Sequence, residues 1–209
     1  MNAQRGVVTI AQGDNARNQA KAAIGMLKRV GFELPVAVIA DRPVAGGAQH
    51  VYAEDQADDP GARWPKVNLD RISPFEHTLY MDADTRAMSA EICVGFELLT
   101  DGWELVITPS ANQGDDWLWH VGDEEQELTE AEYGARIVVL QGGVFFFRKC
   151  EAVTRLFEAW RTEWLRYRDQ DQAALLRAMG QAPVKCWLLG RPFNGGSVVK
   201  HLFKWARRD

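Results

Sequence analysis

Short apolar runs alternate with segments of helical spacing from the first residues onward, and this alternation constrains the fold more than any other feature. Residues 6–11 form a β-rich run, the polar residues 12–15 follow as a loop, and Ala20, Ala23, Ile24 and Leu27 then recur at helical spacing. Residues 35–40 make a second strand closed by the turn formers Asp41-Arg42-Pro43, and a Gly- and Asp-rich loop over 45–62 carries a brief strand at 49–52. Residues 78–81 are a third apolar strand, 90–99 read as helix and 105–108 as a fourth strand. Strands alternating with helices imply an α/β fold: a mainly parallel central sheet flanked by helices. Downstream, 137–140 and 144–147 read as two strands hinged at Gly142-Gly143, and Thr129-Glu130-Ala131-Glu132 has the spacing of a capping box. Val153, Leu156, Phe157, Trp160 and Trp164 share one stripe of a long helix. The segment from Gly190 reads as loop, and 110–126, rich in Asp, Gly and Trp, reads as a functional loop.

The 209 residues suit one domain spanning 1–209. Lys and Arg number 24 against 29 Asp and Glu, with no basic block longer than Arg207-Arg208, so the footprint of a nucleic-acid binder is missing. The longest apolar stretch, 137–147, is broken by Gln141-Gly142-Gly143 and falls short of the roughly 20 residues of a membrane span. Residues 1–5 lead into a strand and not into a signal-peptide core. Cys93, Cys150 and Cys186 are an odd set without paired spacing, which argues against a disulfide framework and a structural zinc site. The expected compartment is the cytoplasm.

The chemistry concentrates where the strand 78–81 runs into Asp82-Ala83-Asp84-Thr85. Two carboxylates one residue apart at the C-terminal end of a strand project from the edge where open α/β sheets bind ligands. Mg²⁺ or Mn²⁺ takes oxygen ligands and bridges such carboxylates to phosphates, so the pair points to a diphosphate substrate. The competing reading is structural, since Asp pairs also cap helices and form Asx turns. The string Leu79-Tyr80-Met81-Asp82-Ala83-Asp84-Thr85 is also similar to the D-x-D-x-T signature of haloacid-dehalogenase-like phosphatases, in which Asp82 would be a nucleophile and Asp84 an acid and base. Against that, a β-α-β region precedes the motif, and no apolar strand precedes Gly122-Asp123-Glu124-Glu125.

Four stretches together resemble the GT-A glycosyltransferases, most closely the glycogenin-like and lipopolysaccharide galactosyltransferase-like family 8. The first is Thr9-Ile10-Ala11 with Asp14-Asn15, similar to the strand and loop that hold the nucleoside of a UDP-sugar. The second is Lys66, then Ser73-Pro74-Phe75, then the block from Thr78 to Thr85, similar to the family's basic residue, short helix and metal motif. The third is Gln141-Gly142-Gly143-Val144-Phe145-Phe146-Phe147, in which paired glycines suit φ > 0 and close approach to a sugar, or a plain hairpin turn; Gln141 stands where the family has Asn. The fourth is Asp171-Gln172-Ala173-Ala174-Leu175, similar to a helix start whose acid and amide face the reacting carbon, with Asp169-Gln170 as an alternative register and helix capping as the rival role. A C-terminal His often adds a third metal ligand in this family, and His201 is the candidate here.

The resemblance implies metal ligands Asp82, Asp84 and His201, donor contacts at Thr9, Ala11, Asp14, Asn15, Lys66, Gly142 and Gly143, and catalytic Asp171 and Gln172. It implies transfer of a hexose from a nucleotide-diphosphate sugar, UDP-linked, to a hydroxyl of a glycan, lipid or protein, with Mn²⁺ or Mg²⁺ and with retention. Trp103, Trp117 and Trp119, in or beside the irregular loop, offer indole faces for sugar stacking, whereas His50, His77 and His120 have no ligand-like spacing. The alternatives are the phosphatase, a nucleotidyltransferase, which the Gln12-Gly13-Asp14-Asn15 loop does not favour, and a sugar-nucleotide binding module without turnover.

Overall fold

The computed structural model describes residues 4–46, 49–51, 63–111, 118, 120–134 and 137–202. The chain opens with β1 (Arg5–Ala11), α1 (Gly13–Arg29), β2 (Val36–Ala40) and β3 (Gln49–Val51). Next come α2 (Arg63–Val67), α3 (Leu69–Ile72), β4 (His77–Met81), β5 (Thr85–Ala87), a 3₁₀ turn at Ala90–Cys93, α4 (Val94–Thr100) and β6 (Leu105–Pro109). The second half holds α5 (Asp123–Tyr133), β7 (Leu140–Arg148), α6 (Glu151–Tyr167), α7 (Asp171–Gln181), β8 (Cys186–Leu188), a 3₁₀ turn at Arg191–Phe193 and β9 (Val199–His201).

Seven strands form the central sheet in the order β3-β2-β1-β4-β7-β6-β8. All run parallel except β7, which is antiparallel to both β4 and β6. The expected α/β architecture therefore holds. Side chains alternate across β7: Phe145 and Phe147 pack with Tyr80, Phe157 and Trp160 on one face, and Val144 and Phe146 with Phe96 and Leu99 on the other. The apolar stripe of α6 reads as foreseen, with Val153, Leu156, Phe157, Trp160 and Trp164 all buried.

Buried charges tie the helices to one another. Arg177, fully buried on α7, donates to Glu163 Oε2 at 2.7 Å, Glu125 Oε1 at 2.8 Å and Thr129 Oγ1 at 2.7 Å, joining α5, α6 and α7. Arg161 donates to the Val67 carbonyl at 3.1 Å and to Asp70 Oδ1 at 2.7 Å, which fixes the end of α2 against α6.

Four local expectations are corrected. Residues 140–148 are one strand and not two runs hinged at Gly142-Gly143: residues 144–148 pair with β4 and 145–147 with β6, and the β6 register shifts between there and Leu140 opposite Pro109. Thr129 lies inside α5 and donates to the Glu125 carbonyl, so the supposed capping box caps nothing. Helix α1 starts at Gly13, whose φ of 79° sharpens the exit from β1, and no loop spans 12–15. The segment after Gly190 is not all loop: β9 pairs antiparallel with β5, with Thr85 opposite His201.

Candidate active site

The site lies at the C-terminal edge of the parallel strands, where β7 enters the sheet. Strand β4 ends at Met81, the Asp82 N–H donates to the Gly143 carbonyl at 2.8 Å, and a tight turn back to Thr85 presents Asp82 and Asp84. The β5–β9 ladder, extended by Leu202 N–H donating to the Asp84 carbonyl at 3.0 Å, then carries His201 to the pair. His201 Nε2 lies 3.1 Å from Asp84 Oδ1 and 3.9 Å from Asp82 Oδ2. Ligand atoms of all three side chains fall within 4.8 Å of one another. Two carboxylate oxygens and one imidazole nitrogen form a donor set that fits Mn²⁺, and Mg²⁺ through the oxygens. Burial alone would raise the Asp84 carboxyl, but the hydrogen bond and charge of His201 hold it below its ordinary value.

Lys66 stands beside this cluster. It is buried on α2, with Nζ 3.1 Å from Asp82 Oδ1, 3.1 Å from Asp171 Oδ2 and 5.3 Å from the centre of the Tyr80 ring. Burial would lower its pKa, yet the two carboxylates, Asp171 ahead of Asp82, raise it. The ammonium therefore stays charged. Asp171 is the first residue of α7; its carbonyl accepts from Trp160 Nε1 at 2.9 Å, and its buried Oδ2 receives no directed hydrogen bond despite the nearby ammonium. Of the two registers, Asp171-Gln172 is the one that reaches the site. No side chain caps α7, whose N-cap is Gln170.

The glycines matter through close approach and not through turn conformation, since neither has a positive φ. A Cβ on Gly142 would lie 2.6 Å from Asp171 Oδ2, and one on Gly143 would lie 2.6 Å from both Asp82 Oδ2 and His201 Cε1. Gln141, just before them, meets His201 Nδ1 at 3.3 Å through Nε2 and accepts from Gln172 Nε2 at 2.5 Å through Oε1. One connected set thus joins Lys66, Asp82, Asp84, Gln141, Gly142, Gly143, Asp171, Gln172 and His201.

The expected nucleoside contacts are not in that set. Thr9 and Ala11 are buried side chains on β1, with Ala11 packed among Ala20, Ile24, Val38 and Ala40. Asp14 and Asn15 are exposed in the first turn of α1, where Arg17 pairs with both Asp14 and Asp41. Trp103 packs on Trp187 before the start of β6, at the strand end remote from the cluster. Trp117 and Trp119 lie outside the described residues.

Tyr80, Arg63 and His120 lie beside this set, the first two not singled out from the sequence and His120 set aside there for its spacing, whereas Asp41 lies apart from it beside Asp14 and Arg17. Tyr80 donates to Asp82 Oδ1 at 2.5 Å, and burial, then Asp82, pushes its phenol well above the ordinary value; its spacing of two from Asp82 on a strand was the available signal. Arg63, one helical turn before Lys66, approaches Asp171 Oδ1 at 3.9 Å. Asp41, at the end of β2, accepts from the Gly13 N–H at 3.2 Å. His120 hydrogen-bonds Gln172, and burial holds its pKa down; nothing in its neighbours along the chain signals this.

The sequence matches no protein-family model and no curated protein. Solved structures match it over most of its length. The galactosyltransferase LgtC, in complex with donor and acceptor sugar analogues, superposes with a TM-score of 0.61 at 14% identity, covering 90% of this chain and 74% of that one. The chain has a GT-A fold. The glycosyltransferase GlyE of Streptococcus pneumoniae gives 0.59 at 14% identity, covering 92% of this chain and 47% of that one. Mouse xyloside xylosyltransferase 1 gives 0.59 at 11% identity, covering 90% and 85%. At such identities the likeness establishes the GT-A architecture alone, and these three neighbours are all glycosyltransferases. Among the described residues no helix is long and apolar enough to cross a membrane.

Proposed function

We propose that this chain is a metal-dependent glycosyltransferase that moves a hexose from a UDP-linked sugar to a hydroxyl of a glycan, lipid or protein acceptor, with retention at the anomeric carbon. The observation that carries the reading is the convergence of Asp82, Asp84 and His201 within 4.8 Å, beside the buried Lys66, at the ligand-binding edge of a GT-A sheet. Asp82, Asp84 and His201 would hold a Mn²⁺ or Mg²⁺ ion, which would supply Lewis-acid neutralisation of a departing diphosphate.

The chain's own residues do the rest. Lys66 stays cationic in a water-poor setting and exchanges part of its carboxylate pairing for the diphosphate oxygens, stabilising the charge that develops as the glycosidic bond lengthens. Gly142 and Gly143 let Asp171, Asp82 and His201 press against the β7 backbone, and the donor sugar lies beside the groups they gather. Asp171 and Gln172, held by the Trp160 bond at the start of α7, face the reacting carbon. Asp14 and Asn15, with the β1 backbone at Thr9 and Ala11, hold the nucleoside. Retention follows from the resemblance to family 8. The phosphatase reading has no support among the neighbouring structures named above.

Thermal melts with UDP, GDP, ADP and CMP, each with and without Mn²⁺, test the proposal on the wild type and on Asp84→Asn. A ligand at 100 times its Kd adds about 2.7 kcal/mol, which for a domain of this size is a shift of about 5–10 °C. UDP with Mn²⁺ is expected to stabilise the wild type alone. Stabilisation by beryllofluoride with Mg²⁺, and by no nucleotide, would return the site to phosphatase chemistry. UDP binding with no release of hexose from any UDP-hexose would make the chain a binding module.

A further inference from the structure

Gln141 connects the metal side of the site to the α7 side through a chain of polar contacts. Its Nε2 lies 3.3 Å from His201 Nδ1, its Oε1 accepts from Gln172 Nε2 at 2.5 Å, and Gln172 hydrogen-bonds the His120 ring. Gln141 is only 6% exposed, so bulk water hardly competes for its amide.

The direction of these bonds bears on His201. With the Gln141 amide N–H donating, Nδ1 is the accepting nitrogen and a neutral ring carries its proton on Nε2. That nitrogen faces Asp84 Oδ1 at 3.1 Å and Asp82 Oδ2 at 3.9 Å, so it is the one that would ligate a cation. A protonated ring nitrogen has no lone pair to give. For Nε2 to ligate, the ring proton must sit on Nδ1 and meet an acceptor, and the acceptor that Gln141 offers is Oε1.

We propose that Gln141 is the positioning residue of the metal site: cation loading turns its amide over, so that His201 Nδ1–H donates to Gln141 Oε1 and Gln141 Nε2–H donates to Gln172 Oε1. The inference rests on Asp82, Asp84 and His201 being the metal ligands. A ring that starts neutral loses its Nε2 proton to solvent and takes one up on Nδ1, so none is released overall; a ring that starts protonated gives its Nε2 proton to solvent. Because Gln172 must turn with its neighbour, the amide on the α7 side reports whether the cation is bound. Occupancy is thereby coupled to the orientation of a side chain assigned to the reacting carbon.

The test uses metal alone, without donor. On ¹⁵N-labelled protein, the His201 ring nitrogens are identified by their loss in His201→Gln and followed as Zn²⁺, a diamagnetic stand-in, is added. The proton is expected on Nε2 before Zn²⁺ and on Nδ1 after it. Calorimetric titration with Mn²⁺ should show Gln141→Leu binding about 10- to 100-fold more weakly than wild type. Gln141→Glu, whose carboxylate can only accept, should restore the affinity. Wild-type affinity in Gln141→Leu overturns the role of Gln141 while leaving the ligand set intact, whereas a ring proton that stays on Nε2 with Zn²⁺ bound removes His201 from the ligand set and overturns the inference with it. Failure of wild type to bind either ion, or equal Mn²⁺ binding by Asp84→Asn, overturns the ligand set and the inference with it. If Gln141→Leu does not fold, the wild-type spectra alone decide.

Discussion

Replacing Gly143 by Ala adds a single methyl group at the point where three elements meet. Its Cβ would lie 2.6 Å from Asp82 Oδ2, 2.6 Å from His201 Cε1 and 3.3 Å from His201 Nδ1. Comfortable contact needs about 3.5 Å, so Asp82, His201 or the β7 backbone must move by roughly 0.9 Å. His201 is held by the β5–β9 ladder and Asp82 by hydrogen bonds from Tyr80 and to the Gly143 carbonyl, so neither swings away without cost. Metal–ligand distances tolerate about 0.2 Å, so the donor set cannot close on a cation after such a shift. Overpacking costs about 1–3 kcal/mol, partly offset by about 0.5–1 kcal/mol from removing glycine in a strand. A net loss of about 0–2.5 kcal/mol leaves the domain folded and lowers Tm by no more than about 10 °C. Calorimetric titration with Mn²⁺ beside thermal melts should therefore show a folded protein whose Mn²⁺ affinity has fallen at least about 10-fold, the lower end of what disturbed ligand support costs. Wild-type Mn²⁺ affinity in Gly143→Ala would refute the argument that this glycine is required by the metal site.

Gly25, exposed in α1 with open space around its Cβ position, gives the opposite expectation: Gly25→Ala should gain about 1 kcal/mol in urea unfolding and leave Mn²⁺ binding unchanged. Arg177→Met leaves Glu125 and Glu163 buried without their shared guanidinium, and denaturant melts at neutral pH should show a loss of about 3–5 kcal/mol. Burial would raise the Glu163 carboxyl, but hydrogen bonds from Arg177, Gln181 and Arg166 hold it below its ordinary value. A depressed folded-state pKa adds stability that is present above the unfolded value of about 4.3 and lost as pH falls through the folded one. The difference in urea midpoint between wild type and Glu163→Gln should therefore be full near about pH 6 and shrink toward about pH 3; a difference that stays constant would refute this assignment.

What could be read from the sequence divides along physical lines. Strands β1, β2, β4 and β6 announce themselves as apolar runs because both faces of a parallel sheet are covered, and Asp82 and Asp84 stand out because polar residues end such a run. The stripe of α6 is legible for the same reason of periodicity. Strands β5 and β9 have three residues each, too few to carry a period, so the ladder that delivers His201 exists only in the tertiary fold. Gly142-Gly143 invites a turn because adjacent glycines are commonest in turns. Here they serve as small residues within a strand, forced by Asp171, Asp82 and His201 pressing in from other elements. Thr129 and Glu132 match a capping box locally, yet helix α5 begins at Asp123 and Thr129 is drawn inward by Arg177. His120, Arg63 and Asp41 come to their partners by tertiary routes that no local pattern encodes. Asp14 and Asn15 rest on resemblance alone, and they lie exposed beside Arg17 and Asp41, apart from the Asp82, Asp84 and His201 cluster.

The most direct test of the central claim is release of UDP from UDP-hexoses by the wild type and by Asp84→Asn, each with Mn²⁺ and with EDTA. UDP release is expected from the wild type with Mn²⁺, with its loss in EDTA and its loss in Asp84→Asn even with Mn²⁺ in excess. UDP release that survives EDTA and the Asp84 substitution, or phosphate release from a phosphomonoester with no turnover of any UDP-hexose, would contradict it.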